Sequence, residues 1–415
     1  MATGFGTVGV FSSLRERNVR VFFAGLGMSN VGTWAQITTV VFVVRRLGGA
    51  GVELGLVTAL QFLPLLLFGL WAGAYADRHD RYRLTMLLQA LMSIQAVALG
   101  ILDLTGVLTI PLVYLLTLAL GALNAFENPT RRAMVTELVD AEHLANITSL
   151  STSVMTGARM FGPAAAALLV AVVGTGWVFI VNGVSYGILL VAMARMDPGG
   201  FHRIPHGARS PTPVRDGLRA VWRNSGLRIV VFVYAAISTF AFNNLVGLPL
   251  LVTDVLGEDE SVFGWLLSVL SVGNVIGALL VARLVTVRAR VFYGASAALA
   301  LTLGLIALSQ VTSAAFVFAF LFGIASTVFV SSTNVMLQQR SDPQVRSRVL
   351  ALGSVLFLGS TPIGGPITGV IADTFGARWA NGYGALAAAA AVVLGLLFGR
   401  KYRRQYDAAT TAASE

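Results

Sequence analysis

The sequence predicts an all-α integral membrane protein of twelve transmembrane helices, arranged as two pseudo-symmetric six-helix bundles, and three observations predict it. Of 415 residues, 56% are hydrophobic and 12% charged, a balance that no water-soluble surface of this size carries. The apolar residues form continuous runs of about 20, the length that crosses ~30 Å of hydrocarbon as helix, and they lack the alternation of barrel strands. Lys and Arg gather in alternate connections.

Taken in order, the segment "MATGFGTVGVFSSLRERNVRVFF" sets its basic residues directly before the first run, without a small-residue cleavage site, and reads as a retained cytosolic start. Spans one and two are expected over 19–43 and 53–76, the second running into the charged connection "GAYADRHDRYR". Spans three and four cover 84–103 and 110–127, and span five, 143–172, contains "TGARMFGP". Span six, 176–195, closes an N-terminal bundle of residues 1–196. A polar linker, 197–228, holds Pro198, Pro205, Pro211 and Pro213 in its first half. Its second half sets Leu218, Val221 and Trp222 on one face and arginines on the other, as an interfacial helix does. Spans seven to twelve, at 229–251, 262–284, 291–309, 313–337, 347–371 and 377–399, make a second bundle of residues 229–400, followed by a tail of 401–415.

Orientation follows from the cations. With both termini cytoplasmic, 25 of the 29 basic residues fall inside, Arg45, Arg46 and Arg378 outside, and Arg159 within a span. The net charge of +10 is thereby assigned to topology and contact with an anionic leaflet, not to nucleic acid. The chain is placed in the inner (plasma) membrane.

Composition also excludes chemistry. There is no cysteine, so no disulfide, thiol nucleophile or cysteine-bound metal, and the four histidines are scattered singly, without the spacing of a helical zinc pair. No Walker loop and no Gly-x-Ser-x-Gly is present. Neither enzyme nor cofactor is expected.

Two internal echoes support a duplication. Gly162-Pro163 recurs as Gly365-Pro366, 203 positions on, and Gly73 of "GAYADR" as Gly277 of "GALLVAR", 204 positions on. Parallel repeats of six helices are a transporter architecture.

"GAYADRHDRYR" resembles the loop between helices two and three of the major facilitator superfamily. Gly73, Ala76, Asp77, Arg78 and Arg81 match its pattern, whereas Asp80 and Tyr82 depart from it. "FENPTRRAMVTELVDAEHLANITSLSTSVMTGARMFGPAAAALL" and "NVMLQQRSDPQVRSRVLALGSVLFLGSTPIGG" are similar, more narrowly, to the branch containing the enterobactin exporter and the macrolide efflux proteins. The resemblance implies alternating access by two rocking bundles around a midplane cavity, driven in most such exporters by inward proton movement. It also implies that Asp77 docks on the start of helix eleven and holds the cytoplasmic side shut.

The residues supply reasons of their own. Gly73 permits close helix approach, and an acid at position 77 suits a helix N-terminus, which "RSDPQVRSRV" offers with Asp342 as N-cap. Glu127 is a candidate partner for Arg81 or Arg78, with Arg131 nearby. Gly157, Gly162 and Pro163 form a candidate gating constellation, or a packing one. Arg159 lies near mid-depth, where an arginine costs at least a few kcal/mol unless it meets water or a partner; it is assigned to the cavity, with carbonyl bonding in a broken helix as the alternative. Asn30, Trp34, Gln36, Gln61, Asn124, Asn243, Asn244 and Asn334 complete a neutral, amide-rich wall suited to a bulky amphipathic solute, each amide being equally a helix-to-helix bonding group.

No acid lies at the depth of Arg159, so proton coupling rests on the resemblance, with Asp77, Glu127, Glu53, Asp103 and Asp254 as the candidate carboxylates. The expectation is a secondary-active, proton-coupled exporter of a drug, antibiotic or siderophore-like product, working as a monomer. A lipid or lysolipid flippase and a non-transporting membrane sensor are the alternatives.

Overall fold

The computed structural model describes residues 12–202, 213–282, 288–341 and 345–412. Helices α1 (Arg17–Arg46), α2 (Gly51–Arg78), α3 (Arg81–Leu104), α4 (Ile110–Thr136), α5 (Leu144–Val173) and α6 (Thr175–Ala194) follow the first six expected spans. After α7 (Pro213–Arg223), the seventh span is broken into α8 (Ser225–Ala241), α9 (Asn244–Leu250) and a π turn at Leu251–Val255. Helices α10 (Glu260–Ala282), α11 (Ala289–Leu308) and α12 (Thr312–Arg340) are continuous. The eleventh span is split at Ser360 into α13 (Arg346–Gly359) and α14 (Thr361–Phe375), and α15 (Ala377–Ala412) is the last described helix.

Eleven described helical stretches are long and apolar enough to cross a membrane. Helix α1 is long enough but too polar to join them, because Thr33, Gln36, Thr38 and Thr39 spend its hydropathy on internal bonds. Gln36 Nε2 donates to Gln95 Oε1 at 3.1 Å, its Oε1 accepts from Asn182 at 2.7 Å, and the Thr33 hydroxyl meets that of Tyr186 at 2.8 Å.

The chain divides into two compact units. One comprises residues 1–43 and 67–208, the other 44–66 and 209–415, so the boundary after residue 208 falls within the expected linker, while the first half of α2 goes with the second unit. In the first unit α3 packs on α6 and α4, and a cluster including Phe22, Leu26, Met134, Leu138, Ile147 and Met193 fills one end. In the second unit α10 crosses α12 so closely that a Cβ at Gly273 or Gly323 would run into the facing helix's carbonyl oxygen.

The residues 44–66 join the second unit for a physical reason. A Cβ at Gly369 of α14 would strike the Gly51 carbonyl oxygen, and one at Gly55 would come within 2.6 Å of the Gly365 oxygen. Main chain meets main chain along this seam, and Asp373 caps the start of α2 from α14.

Candidate functional site

The break in the seventh span lies at the non-helical backbone of Phe242 and Asn243, and Pro249, which lacks an N–H, follows inside α9. Asn243 Nδ2 donates to the Thr239 carbonyl at 2.8 Å, replacing the main-chain bond that the break removes. From α15, Asn381 Nδ2 adds a second donor, at 2.9 Å, to the Gly247 carbonyl, which also accepts from the Leu251 N–H, and so ties α9 to α15. Gly364 fits into the break, since any Cβ there would meet the Thr239 oxygen. The Tyr383 hydroxyl lies 3.4 Å from Asn243 Nδ2 and 2.5 Å from Thr368 Oγ1.

Asn243 Oδ1 is left buried without a partner among the described residues. A buried amide oxygen with no donor is unfavourable by roughly 1–3 kcal/mol, and this one is packed against Gly364. Asn244, Asn334 and Gln61 are half-buried and make no side-chain hydrogen bond among the described residues. Phe242, at the break, is the hub of an aromatic cluster, with ring centroids 5.2 Å from Phe357, 6.3 Å from Phe322 and 6.4 Å from Phe329. Phe322 and Phe329 are fully buried, whereas Phe242 and Phe357 keep part of their faces open.

In the first unit the polar surface runs along α5. Thr148, Thr152 and Thr156 stand one above another, all exposed, each hydroxyl donating to the carbonyl four residues back at 2.7–2.9 Å. That leaves their lone pairs outward. Arg159 continues the stripe, exposed, with its guanidinium 4.7 Å from the centre of the Trp34 ring, within cation–π range. Gly162 supports the stack, because a Cβ there would strike Trp34, whereas Gly157 has open space around it. Pro163 is buried within an unbroken helix. Asn30 and Asn124 are half-buried, each bonding its amide to a carbonyl one turn back, at 2.9 and 3.0 Å.

Several expectations are corrected. Gln36 is fully buried with both ends of its amide occupied, so it is a helix-to-helix tie rather than a wall residue. Glu127 does not pair with Arg81 or Arg78. It is held by Arg131 Nε at 2.8 Å and Gln89 Nε2 at 3.1 Å, while Arg81 takes Glu137 from the end of α4 at 2.5 Å. The one-turn spacing of 127 and 131 on a single helix explains the preference. Gly73 makes no close approach among the described residues, since a Cβ there would find none of their atoms within 4 Å. The Asp77 side chain and all of Asp342 lie outside the described residues, and Arg78 is exposed at the end of α2.

The remaining acids have structural duties. Glu53 accepts from the Ala50 N–H at 2.8 Å, Asp103 from the Thr175 hydroxyl at 2.5 Å, and Asp254 is the ion-pair partner of Arg45. Glu127, 4% exposed, is the buried member of the described candidates, and its partner Arg131 is 1% exposed with Nη1 unbonded. Three features escaped the sequence reading: the Asp373 cap, the Phe242 hub and the threonine stripe. The stripe did leave a signal, a run of hydroxyls at 148, 152 and 156 in an apolar span.

The profile of the transmembrane secretion effector family matches residues 8–414. The chain is 24% identical over 363 residues to the staphyloferrin A transporter of Staphylococcus aureus (strain NCTC 8325 / PS 47), covering 86% of this chain and 90% of that one. It is 26% identical over 371 residues to the multidrug efflux pump Tap of Mycolicibacterium fortuitum, covering 86% and 89%. With macrolide efflux protein A of Streptococcus pyogenes it shares 22% over 368 residues, covering 85% and 89%. Among solved structures, a bacterial homologue of the human lysosomal transporter Spinster, inward-facing and occupied, superposes with a TM-score of 0.72 at 14% identity, covering 93% of this chain and 97% of that one. These relatives are transporters and not enzymes, and the fold is that of the major facilitators. The chain belongs to the transmembrane secretion effector family, a multi-span membrane transporter built on the major facilitator fold.

Proposed function

We propose that this transporter is a secondary-active exporter that moves a bulky amphipathic small molecule out of the cell by alternating access, driven by inward proton movement. It acts as a monomer in a bacterial plasma membrane with both termini cytoplasmic. One observation carries the reading: a membrane-spanning helix, α5, presents an exposed row of hydroxyls that ends in Arg159 stacked on Trp34. The arginine of such a face is favourable only against water or a polar partner, and an arginine over an aromatic ring offers both charge and apolar surface. In the second unit the half-open ring of Phe242 and the half-buried amide of Asn244 at the same break offer mixed chemistry without charge. The relatives, a siderophore transporter and drug efflux pumps, agree with that solute class.

Glu127 is the coupling carboxylate in this reading, because it is buried against Arg131, where gain of a proton would release the ion pair. Asp77 remains the acid of the cytoplasmic latch. The test is purified protein in liposomes with an imposed pH gradient, assayed for substrate-driven proton flux across dyes, macrolides and siderophores. Flux indifferent to the gradient and to Glu127→Gln and Asp77→Asn ends the antiport reading. Arg159 also suits an anionic lipid headgroup, the flippase alternative; movement of labelled lysolipid between leaflets, with no flux of soluble substrates, would establish that instead.

A further inference from the structure

At one end of the second unit, α7 lies beside α13 and leads directly into α8. Its Val221 is 3% exposed, whereas Leu218 and Trp222, one turn apart, are 45% and 65% exposed. The helix therefore has an apolar face toward the protein and a second one left uncovered among the described residues. Arg219 and Arg223, each directly after those two residues, line a cleft of about 690 Å³ together with Arg340 at the end of α12 and Arg348 in the first turn of α13.

The cleft is built rather than incidental. Arg340 Nη1 donates to the Gly226 carbonyl at 3.1 Å, and its own carbonyl accepts from Asn224 Nδ2 at 3.2 Å. Asn224 in turn caps α8 through the N–H groups of Gly226 and Leu227, at 2.9 and 3.2 Å. Helix α13 starts at the cleft with Val345 as its N-cap, a side chain unable to cap, so the dipole adds positive potential to the four guanidinium groups. No carboxylate stands among the described lining residues.

We propose that this cleft binds the phosphate headgroup of an anionic phospholipid, with Trp222 and Leu218 set into the boundary between headgroups and acyl chains. A soluble phosphate compound accounts for the arginines but not for the uncovered tryptophan and leucine beside them; a lipid accounts for both. The bound lipid ties α7 to the ends of α12 and α13, and so joins the linker helix to the eleventh span.

The test uses the full chain, delipidated in detergent, with melting temperature followed as phosphatidylglycerol, phosphatidylcholine or inorganic phosphate is added. Phosphatidylglycerol should raise the melting temperature, and each arginine removed should weaken its apparent affinity about fivefold, so that Arg219→Gln with Arg223→Gln weakens it about 25-fold. The lysine pair, Arg219→Lys with Arg223→Lys, should keep most of the response, and Trp222→Ala should reduce it with the arginines intact. Equal protection by phosphatidylcholine, or an unchanged response in the glutamine pair, overturns the proposal. Protection by inorganic phosphate that matches phosphatidylglycerol and ignores Trp222→Ala overturns the lipid as ligand. No arm measures transport, so the outcome is independent of the export reading.

Discussion

The carboxylate of Asp373 accepts hydrogen bonds from the main-chain N–H groups of both Gly51 and Val52, at 2.7 and 2.8 Å, and so seats an acid from α14 on the first turn of α2. An anion there contributes about 0.3–1 kcal/mol, and up to ~2 when partly buried. Asp373→Asn should loosen the seam beneath it. The chain has no cysteine, so one placed at Thr58, which is 4% exposed, reports on that seam alone. Its maleimide labelling should run about fivefold faster in the Asp373→Asn background; equal rates would remove Asp373 as the holding contact.

Glu127 and Arg131 should behave as a pair. Glu127→Ala leaves a buried guanidinium without its counter-charge and is expected to destabilise by about 3–5 kcal/mol. Glu127→Ala combined with Arg131→Met should recover most of the lost melting temperature. If the double variant is as unstable as the sum of the single changes, the ion pair is not what binds this end of α4.

Glycines divide by surroundings rather than by motif. Gly369→Val must displace the Gly51 main chain and should destabilise by about 1–3 kcal/mol. Gly157→Ala adds a methyl group where nothing lies within 4 Å, and should leave stability unchanged or raise it by up to about 1 kcal/mol through helix propensity. Thermal melts of both variants check the contrast.

Phe242 and Phe322 belong to one aromatic cluster but should fail differently. Phe322 is wholly buried, and Phe322→Ala should lower stability by about 3–5 kcal/mol. Phe242 is only half-buried, so Phe242→Ala should express near normally and instead raise the KM for an aromatic substrate up to about tenfold, the worth of one or two ring contacts. A normal KM with a low melting point would return Phe242 to the core.

Eleven of the twelve expected spans met apolar helical stretches because a run of about 20 apolar residues has few other stable forms in lipid. What periodicity does not contain is which polar residue faces which neighbour. Gln36 and Arg159 look alike in sequence, as polar groups in apolar spans, yet one is locked between Gln95 and Asn182 and the other is exposed over Trp34. Asp373 was legible as an acid at a span end but not as a cap, since its partner N–H groups lie 321 and 322 residues away. The broken seventh span read as continuous because Asn243 and Pro249 are short interruptions in an apolar run.

The seam where Gly51 and Gly55 meet Gly365 and Gly369 is closed by main chain against main chain, with only the small side chains of Thr58 and Ala372 at the four glycines besides the Asp373 carboxylate. If it parts during the transport cycle, the Asp373 bonds must break, but at these glycines no long side chain has to be withdrawn. Its resistance to parting is then a matter of population, set by the Asp373 cap, while the speed of parting is left almost free of steric friction. A helix pair closed in this way is suited to rapid, repeated cycling rather than to a long-lived closed state.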